Sequence, residues 1–325
     1  MTMEFDVDLA RIEAARARIA GRVRATPLWR SEPLSRRLDA DVFLKLECLQ
    51  LGGSFKMRGV LNKLATMDEA ARARGIVTVS GGNHAIATAE AARATGTRAL
   101  VTMPRVTPAY NVARTTGPGA EVELCDTAAL AFARAQELGR AGMTFVHPYD
   151  DPDVIAGHGT LGLEIADAVP DLTDVVVSIG GGGFMAGVAA AVKGRIPAAR
   201  IHGVETEGAE TMTRALAAGR PETIAPSSIA RTLGAPFATE RTMAAARRFL
   251  EGIEIVSDRE AVAELDALIA DEHIWCEPAA SCTVAAALRR RAGLGARPRI
   301  VLVLCGSNVA FDDVARWRAE FGLAG

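Results

Sequence analysis

Short apolar runs rich in β-branched residues alternate along the chain with longer alanine-rich stretches whose hydrophobic positions recur every three or four residues. The runs predict strands at VFLKL (42–46), GIVTVS (75–80), RALVTM (98–103), AEVEL (120–124), TDVVVSIG (173–180), ARIHGVE (199–205) and RIVLVLCG (299–306). The stretches predict helices, among them EAARARIAGRV, NHAIATAEAARATG, TAALAFARAQELGRAG, VIAGHGTLGLEIADAV and REAVAELDALIADEH. A strand that is apolar nearly throughout is buried on both faces, and helices between successive strands make the pairing parallel. The expected fold class is α/β, with mostly parallel sheets flanked by helices. Breakers thicken at 104–119, 147–152 and 221–236, and HPYDDP in the second is the expected crossover between two lobes.

Composition narrows the function classes. A chain of 325 residues exceeds the commonest single-domain size, which favours two domains or one large α/β unit. Net charge is −2, with arginines and acids interleaved, so neither nucleic acid nor an anionic membrane is the expected partner. Five scattered cysteines form no CxxC pair and no even framework, which points to a reducing, cytoplasmic setting. The N-terminal stretch carries acids and arginines without an apolar signal core, and no run approaches the roughly 18 apolar residues of a membrane span.

Three places can carry chemistry. GGGGFMAG, Gly180–Gly187, follows the strand DVVVSI and opens a helical stretch. Consecutive glycines there turn backbone N–H groups toward one point, and the helix start adds positive charge: a phosphate cradle, against the alternative of a plain flexible turn. Gly181, Gly183 and Ala186 also fit G-x-G-x-x-A, with Glu205 closing the next strand about 20 residues on. Taken alone, that fingerprint predicts a nicotinamide-dependent dehydrogenase. SGGNHA, Ser80–Ala85, repeats the strand–turn–helix arrangement with Ser80, Asn83 and His84 as donors suited to a carboxylate or a ring hydroxyl; simple helix capping is the alternative. GGSFKMRG, Gly52–Gly59, places Lys56 in a glycine and serine loop. The chain has 37 basic residues and only four lysines: Lys45, Lys56, Lys63 and Lys193. A lysine amine becomes a nucleophile once it loses its proton, which a guanidinium does not do. An amine nucleophile with a phosphate cradle and a carboxylate cradle is what pyridoxal phosphate acting on an amino acid requires.

The segments KLECLQLGGSFKMRG, SGGNHA, HPYDDPDVIAGHGTLGLEI, SIGGGGFMAG, CEPAAS and CGSN occur in that order. Through them the sequence resembles the fold-type II pyridoxal phosphate enzymes, closest to the branch of serine/threonine dehydratases and serine racemases, over residues 20–312. The resemblance implies two open α/β lobes of the tryptophan synthase β type with the cofactor in the cleft between them. Residues 48–147 would form the small substrate-side domain, and residues 1–47 with 148–325 the large cofactor-binding domain. Lys56 would form the imine with the cofactor, and Phe55 would pack by its ring. Gly180, Gly181, Gly182 and Gly183 would hold the phosphate, with Phe184 beside it. Asn83 would bond the ring 3-hydroxyl, while Ser80, Gly81, Asn83 and His84 would face the substrate. Cys305 would meet the pyridine nitrogen.

These positions imply a reaction. A neutral thiol at Cys305 does not enforce a protonated ring, which favours expelling a β-leaving group over accumulating a carbanion. Racemases of the branch carry a second serine where this chain has Gly81, a residue unable to move a proton. The expected activity is α,β-elimination of a small β-hydroxy amino acid to a 2-oxo acid and ammonia, with Lys56 as general base. Racemization and threonine synthase-like replacement are the alternatives within the fold. The branch's cation site has a Glu followed six residues later by an Asp. This chain offers Glu205 but Thr211, so Glu205 is the candidate ligand for a divalent or monovalent cation, with capping as its alternative. Only a short segment follows CGSN, so no appended amino-acid-sensing domain is expected. A cytoplasmic homodimer completes the expectation.

Overall fold

The computed structural model describes residues 3–295 and 298–323. Ten strands are present among them: β1 Leu28–Arg30, β2 Asp41–Lys45, β3 Ile76–Val79, β4 Ala99–Pro104, β5 Glu121–Cys125, β6 Thr144–Phe145, β7 Asp174–Ser178, β8 Arg200–Thr206, β9 Leu250–Val256 and β10 Arg299–Val303. They form two sheets. The larger has the order β1-β2-β10-β7-β8-β9 and is parallel except for β1, which runs against β2. The smaller, β5-β4-β3-β6, is wholly parallel. The fold is α/β, as the apolar runs predict.

The central strands are the ones legible as continuous apolar runs. Val175, Val176 and Val177 of β7 and Ile300 to Val303 of β10 are at most 1% exposed, and each such side chain contributes about 1.5–3 kcal/mol on burial. They anchor the main core; a second core packs the smaller sheet against the helices Lys56–Thr66 and Asn83–Thr95. Three strands lie outside the seven expected ones. β1 and β6 are too short to carry a pattern, and β9, at the sheet edge, is mostly half-buried and mixes Glu and Gly with its isoleucines.

Lys56 is also placed differently from expectation: it is the first residue of a helix rather than the middle of a loop. The glycine conformations belong to the preceding turn, where Gly52 and Gly53 have φ of 70° and 75°. That helix and the helix Gly183–Arg195 both pack on the long helix Pro152–Ala168, whose start is fixed by the Asp151 side chain accepting from the amides of Asp153 and Val154. Gly157 lets the first pair approach, since a β-carbon there would lie 2.5 Å from the Arg58 carbonyl. Gly187 does the same for the second against the Ile155 carbonyl, at 2.4 Å. One helix thus sets the distance between the lysine and the glycine loop.

Candidate active site

Parallel strands deliver their C-terminal ends to one edge, where open α/β folds bind ligands. β3 leads into Ser80–Gly82 and the helix Asn83–Thr95; β7 leads into Gly180–Gly182 and the helix Gly183–Arg195; β10 leads into Cys305–Asn308. Lys56 is tied to the third of these: the Phe55 amide donates to the Cys305 carbonyl at 3.1 Å, and Ser54 bridges to Gly306.

The Lys56 amine donates to the Pro148 carbonyl at 2.5 Å and forms no salt bridge with any of the described residues. Burial without a counter-ion lowers its pKa from 10.5 to about 7, against a smaller opposing effect of Cys305. The next residue, Tyr149, forms the wall of the glycine loop. A β-carbon on Gly181 would strike its ring at 2.3 Å, and one on Gly183 its carbonyl at 2.3 Å. Gly182, the N-cap, has φ of 91° and offers no capping side chain, so the first amides of the helix are left for an outside acceptor. Residues 148 and 149 therefore hold the amine and the cradle side by side. Phe55 and Phe184 bring them together from below, stacked with ring centroids 3.7 Å apart.

On the other wall, Ser80 Oγ accepts from the Gly82 amide at 3.1 Å, and Asn111 Nδ2 donates to the Gly81 carbonyl at 2.7 Å. The Thr107 hydroxyl stands 2.7 Å from where a β-carbon on Gly81 would be. His84 is buried with Nε2 at 3.3 Å from the Val146 carbonyl; burial, and then Lys56, push its pKa well below 6.5, so the ring is neutral. Asn83 is held at both ends: Nδ2 donates to Glu277 Oε1 at 2.7 Å, and Oδ1 accepts from Asn308 Nδ2 at 2.7 Å. The Cys305 thiol lies 3.6 Å from Ser178 Oγ and 4.0 Å from Glu277 Oε1, its pKa raised well above the usual thiol range by burial.

Four participants are missing from the expected set: Glu277, Asn308, Tyr149 and Thr107. Glu277 and Asn308 sit in CEPAAS and CGSN, segments that pointed to kinship without assigning these side chains a role. A Glu before a Pro at a helix start reads as a cap, yet Glu277 makes no side-chain cap here. Tyr149 and Thr107 lie in breaker-rich stretches with no periodicity to mark which way a side chain turns. A further signal exists only in three dimensions. Among the described residues, the buried side-chain polar atoms without a partner belong to Ser54, His84, Thr107, Tyr149, His158, His202 and Arg290. The first five are in this cleft or against its walls, His158 packing edge-on against Phe55. Such atoms collect where a ligand completes the bonding.

The chain matches the family described as "Pyridoxal-phosphate dependent enzyme" over residues 19–306. It is 37% identical over 312 residues to the L-threonine ammonia-lyase of Geobacter sulfurreducens, covering 94% of this chain and 76% of that protein. It is 36% identical to the phenylserine dehydratase of Ralstonia pickettii, covering 97% of each. Among solved structures, maize serine racemase superposes with a TM-score of 0.89 at 30% identity, covering 98% of both chains. The chain belongs to the pyridoxal-phosphate-dependent enzymes. The fold is that of the type II branch, and the cofactor is pyridoxal phosphate. The site fits that cofactor on its own terms: an amine close to neutrality, an amide cradle with no room for side chains, and the unpartnered hydroxyls of Ser54 and Tyr149.

Two expectations change for this enzyme. Glu205 is not part of a cation cluster. Its carboxylate accepts from the Met212 amide at 2.6 Å and from the amide and hydroxyl of Thr213 at 2.9 and 2.6 Å, capping the helix Thr211–Ala218. No group of three or more His, Cys, Asp or Glu able to hold a metal occurs among the described residues. The family match removes the dehydrogenase alternative, and the acid that would read a ribose is engaged by these bonds instead.

Proposed function

We propose that this enzyme eliminates water from a small β-hydroxy amino acid, releasing a 2-oxo acid and ammonia. The observation that carries the reading is the unpaired Lys56 amine, fixed on Pro148 beside the Gly180–Gly183 cradle. Two of the relatives are named for ammonia-lyase or dehydratase reactions.

In this reading Lys56 binds the cofactor covalently, and the amides of Gly180–Gly183 with the Ser54 and Tyr149 hydroxyls hold its phosphate. Asn83 would meet the ring hydroxyl, and Cys305 the ring nitrogen. Bound pyridoxal phosphate supplies the electron-withdrawing group that acidifies Cα of the amino acid joined to it. The residues supply the rest. Lys56 Nζ, freed when the substrate amine takes its place and then deprotonated in a large fraction near neutral pH, would take the Cα proton, and that proton with the departing β-hydroxide makes up the water eliminated. Ser80, the Gly81 amide and the Thr107 hydroxyl orient the substrate carboxylate over the start of the helix Asn83–Thr95, where the positive helix end favours it. Gly81 offers no second base. The Thr107 hydroxyl beside it has no partner to take its proton, so it donates rather than abstracts. One base on one face favours elimination over racemization.

The named relatives differ in what stands beyond Cβ, so the common element is the β-hydroxy amino acid. We read the enzyme further as a cytoplasmic homodimer. The cytoplasmic half of that reading accords with its five unpaired cysteines, and no helix among the described residues is long and apolar enough to cross a membrane. The deciding experiment loads purified protein with cofactor and measures 2-oxo acid and ammonia across serine, threonine, phenylserine and 3-hydroxyaspartate. Stoichiometric release, lost in Lys56→Ala, is expected. D-amino acid formed as fast as 2-oxo acid overturns the elimination reading.

A further inference from the structure

Glu277 turns its carboxyl into the interior of the site. It precedes the helix Pro278–Arg289, is 3% exposed, and leaves its own helix uncapped. A single oxygen, Oε1, accepts from Asn83 Nδ2 at 2.7 Å and from Thr232 Oγ1 at 3.1 Å and lies 4.0 Å from Cys305 Sγ. Glu277 also lines a cavity of about 60 Å³ together with Pro108, Asn111, Ile229 and Asn308. The three neighbours come from three different elements: Asn83 from the helix after β3, Thr232 from the segment before β9, and Cys305 from the end of β10.

The titratable groups around it are thiols. Cys305 faces it from the end of β10, Cys282 from its own helix, Cys276 from the residue before it and Cys48 from the turn after β2, and burial raises the pKa of all four. No lysine, arginine or histidine among the described residues pairs with it. Burial dominates over the bonds from Asn83 and Thr232 and raises its pKa from 4.5 to about 7. A buried carboxyl is normally either ion-paired or neutral. This one has no ion-pair partner among the described residues, changes its charge near neutrality, and lies against both side chains assigned to the polar positions of the cofactor ring.

We propose that Glu277 is a positioning residue that fixes the Asn83 amide and, when ionised, supplies the negative charge that the Cys305 thiol does not, raising the proton affinity of the ring side of the cleft. This rests on the function proposed above. Geometry fixes the first half. With Nδ2 committed to Glu277 and Oδ1 to Asn308, the Asn83 amide cannot flip, and its second N–H remains for the ring oxygen. Electrostatics supplies the second half. A charge within a few ångströms in a dry site changes a neighbour's proton affinity, and a carboxyl titrating near neutrality makes that effect depend on pH. Glu277 would thereby make the electron demand of the site adjustable, where a permanently charged acid would fix it.

The test uses holoenzyme: wild type, Glu277→Gln and Thr232→Val, each titrated from pH 5.5 to 9 by visible absorption and by kcat and KM for 2-oxo acid release. Wild type is expected to show a spectral transition with a midpoint near 7. Glu277→Gln keeps the hydrogen bond to Asn83 but not the charge. It should keep the band of lysine-bound cofactor, lose the transition or move it down by about one unit, and lower kcat at pH 8 at least tenfold with KM changed less than threefold. Thr232→Val alters an exposed side chain, so folding is not at risk. By removing a donor to the carboxylate it should raise the midpoint by several tenths of a unit. A Glu277→Gln enzyme that titrates and turns over like wild type overturns the proposal. Should that variant not fold, an unmoved midpoint in Thr232→Val overturns it equally. A wild type that forms no lysine-bound band overturns the function itself, so the two failures are separable.

Discussion

Lys56 and Arg58 are two residues apart on one helix turn, both cationic by nature and both inside the protein, yet they live in opposite electrostatic surroundings. Arg58 is saturated. It donates to Glu47 at 2.8 Å through both Nε and Nη2, to Glu164 Oε1 at 2.6 Å and Oε2 at 3.0 Å, and to Thr160. Lys45 completes the network by donating to Glu164 at 2.5 Å and to the Thr26 carbonyl. The guanidinium is fully buried, and these two carboxylates hold its pKa above its already high ordinary value. Lys56 meets one carbonyl and no acid, and burial brings it near neutrality. The same contrast holds for neutral groups. The network under Arg58 leaves no member in want of a partner, while Ser54, His84, Thr107 and Tyr149 around the cleft keep bonding capacity unused. Paired groups build; unpaired ones wait for a ligand.

The sharpest way to break the comparison is to exchange the two chemistries. Lys56→Ala and Lys56→Arg should each abolish the band of lysine-bound cofactor and lower 2-oxo acid release by at least about 10³-fold. Arginine fails as completely as alanine because it cannot give up its proton. Substantial activity in Lys56→Arg would show that charge, not a transferable proton, is what position 56 provides.

Stability should move in the other direction. Arg58→Met strands the buried Glu47 without its cation and leaves Glu164 with Lys45 alone, which costs about 3–5 kcal/mol, read from the urea midpoint of the cofactor-free protein. Lys56→Met, by contrast, removes a lysine whose ammonium form is disfavoured in the folded state. The folded pKa of Lys56, about 7, is below the unfolded value near 10.5. The penalty is complete below pH 7 and fades as pH rises from 7 toward 10.5, where the unfolded state too becomes neutral. Lys56→Met should therefore stabilise the cofactor-free protein at pH 6 and lose most of that gain by pH 10. A pH-independent difference would mean that Lys56 is not buried as a cation.

How much of this was readable beforehand follows the same division. β7 and β10 were legible because both faces of each are buried, so nearly every residue is apolar. The Gly180–Gly183 cradle was legible because the backbone itself forms the site. Glu277 was not, because its partners Asn83, Thr232 and Cys305 are 28 to 194 positions away, and a lone Glu-Pro is ambiguous between a cap and a site. Glu205 misled for a related reason. A Glu closing a strand fits a ribose reader, a cation ligand and a helix cap alike, and only the amides of Met212 and Thr213 decide between them.

Thr107 gives the finest test of whether an unpartnered group is a vacancy in the packing or a contact held for substrate. Its hydroxyl is buried, bonds nothing, and fills the space that a side chain at Gly81 would take. Thr107→Val replaces that hydroxyl by a methyl group of similar shape. If the hydroxyl were serving the fold, the substitution would cost about 1 kcal/mol, the usual net worth of a hydrogen bond. Because it has no partner, stability should instead stay within about 0.5 kcal/mol or rise. The loss should appear in substrate binding. Removing one donor to the carboxylate should raise KM about three- to tenfold, with kcat much less affected. Gly81→Ser should do more harm to KM than Thr107→Val, since its β-carbon would have to displace the Thr107 hydroxyl from 2.7 Å. A Thr107→Val enzyme with reduced stability and unchanged KM would move this residue to the Arg58 side of the comparison.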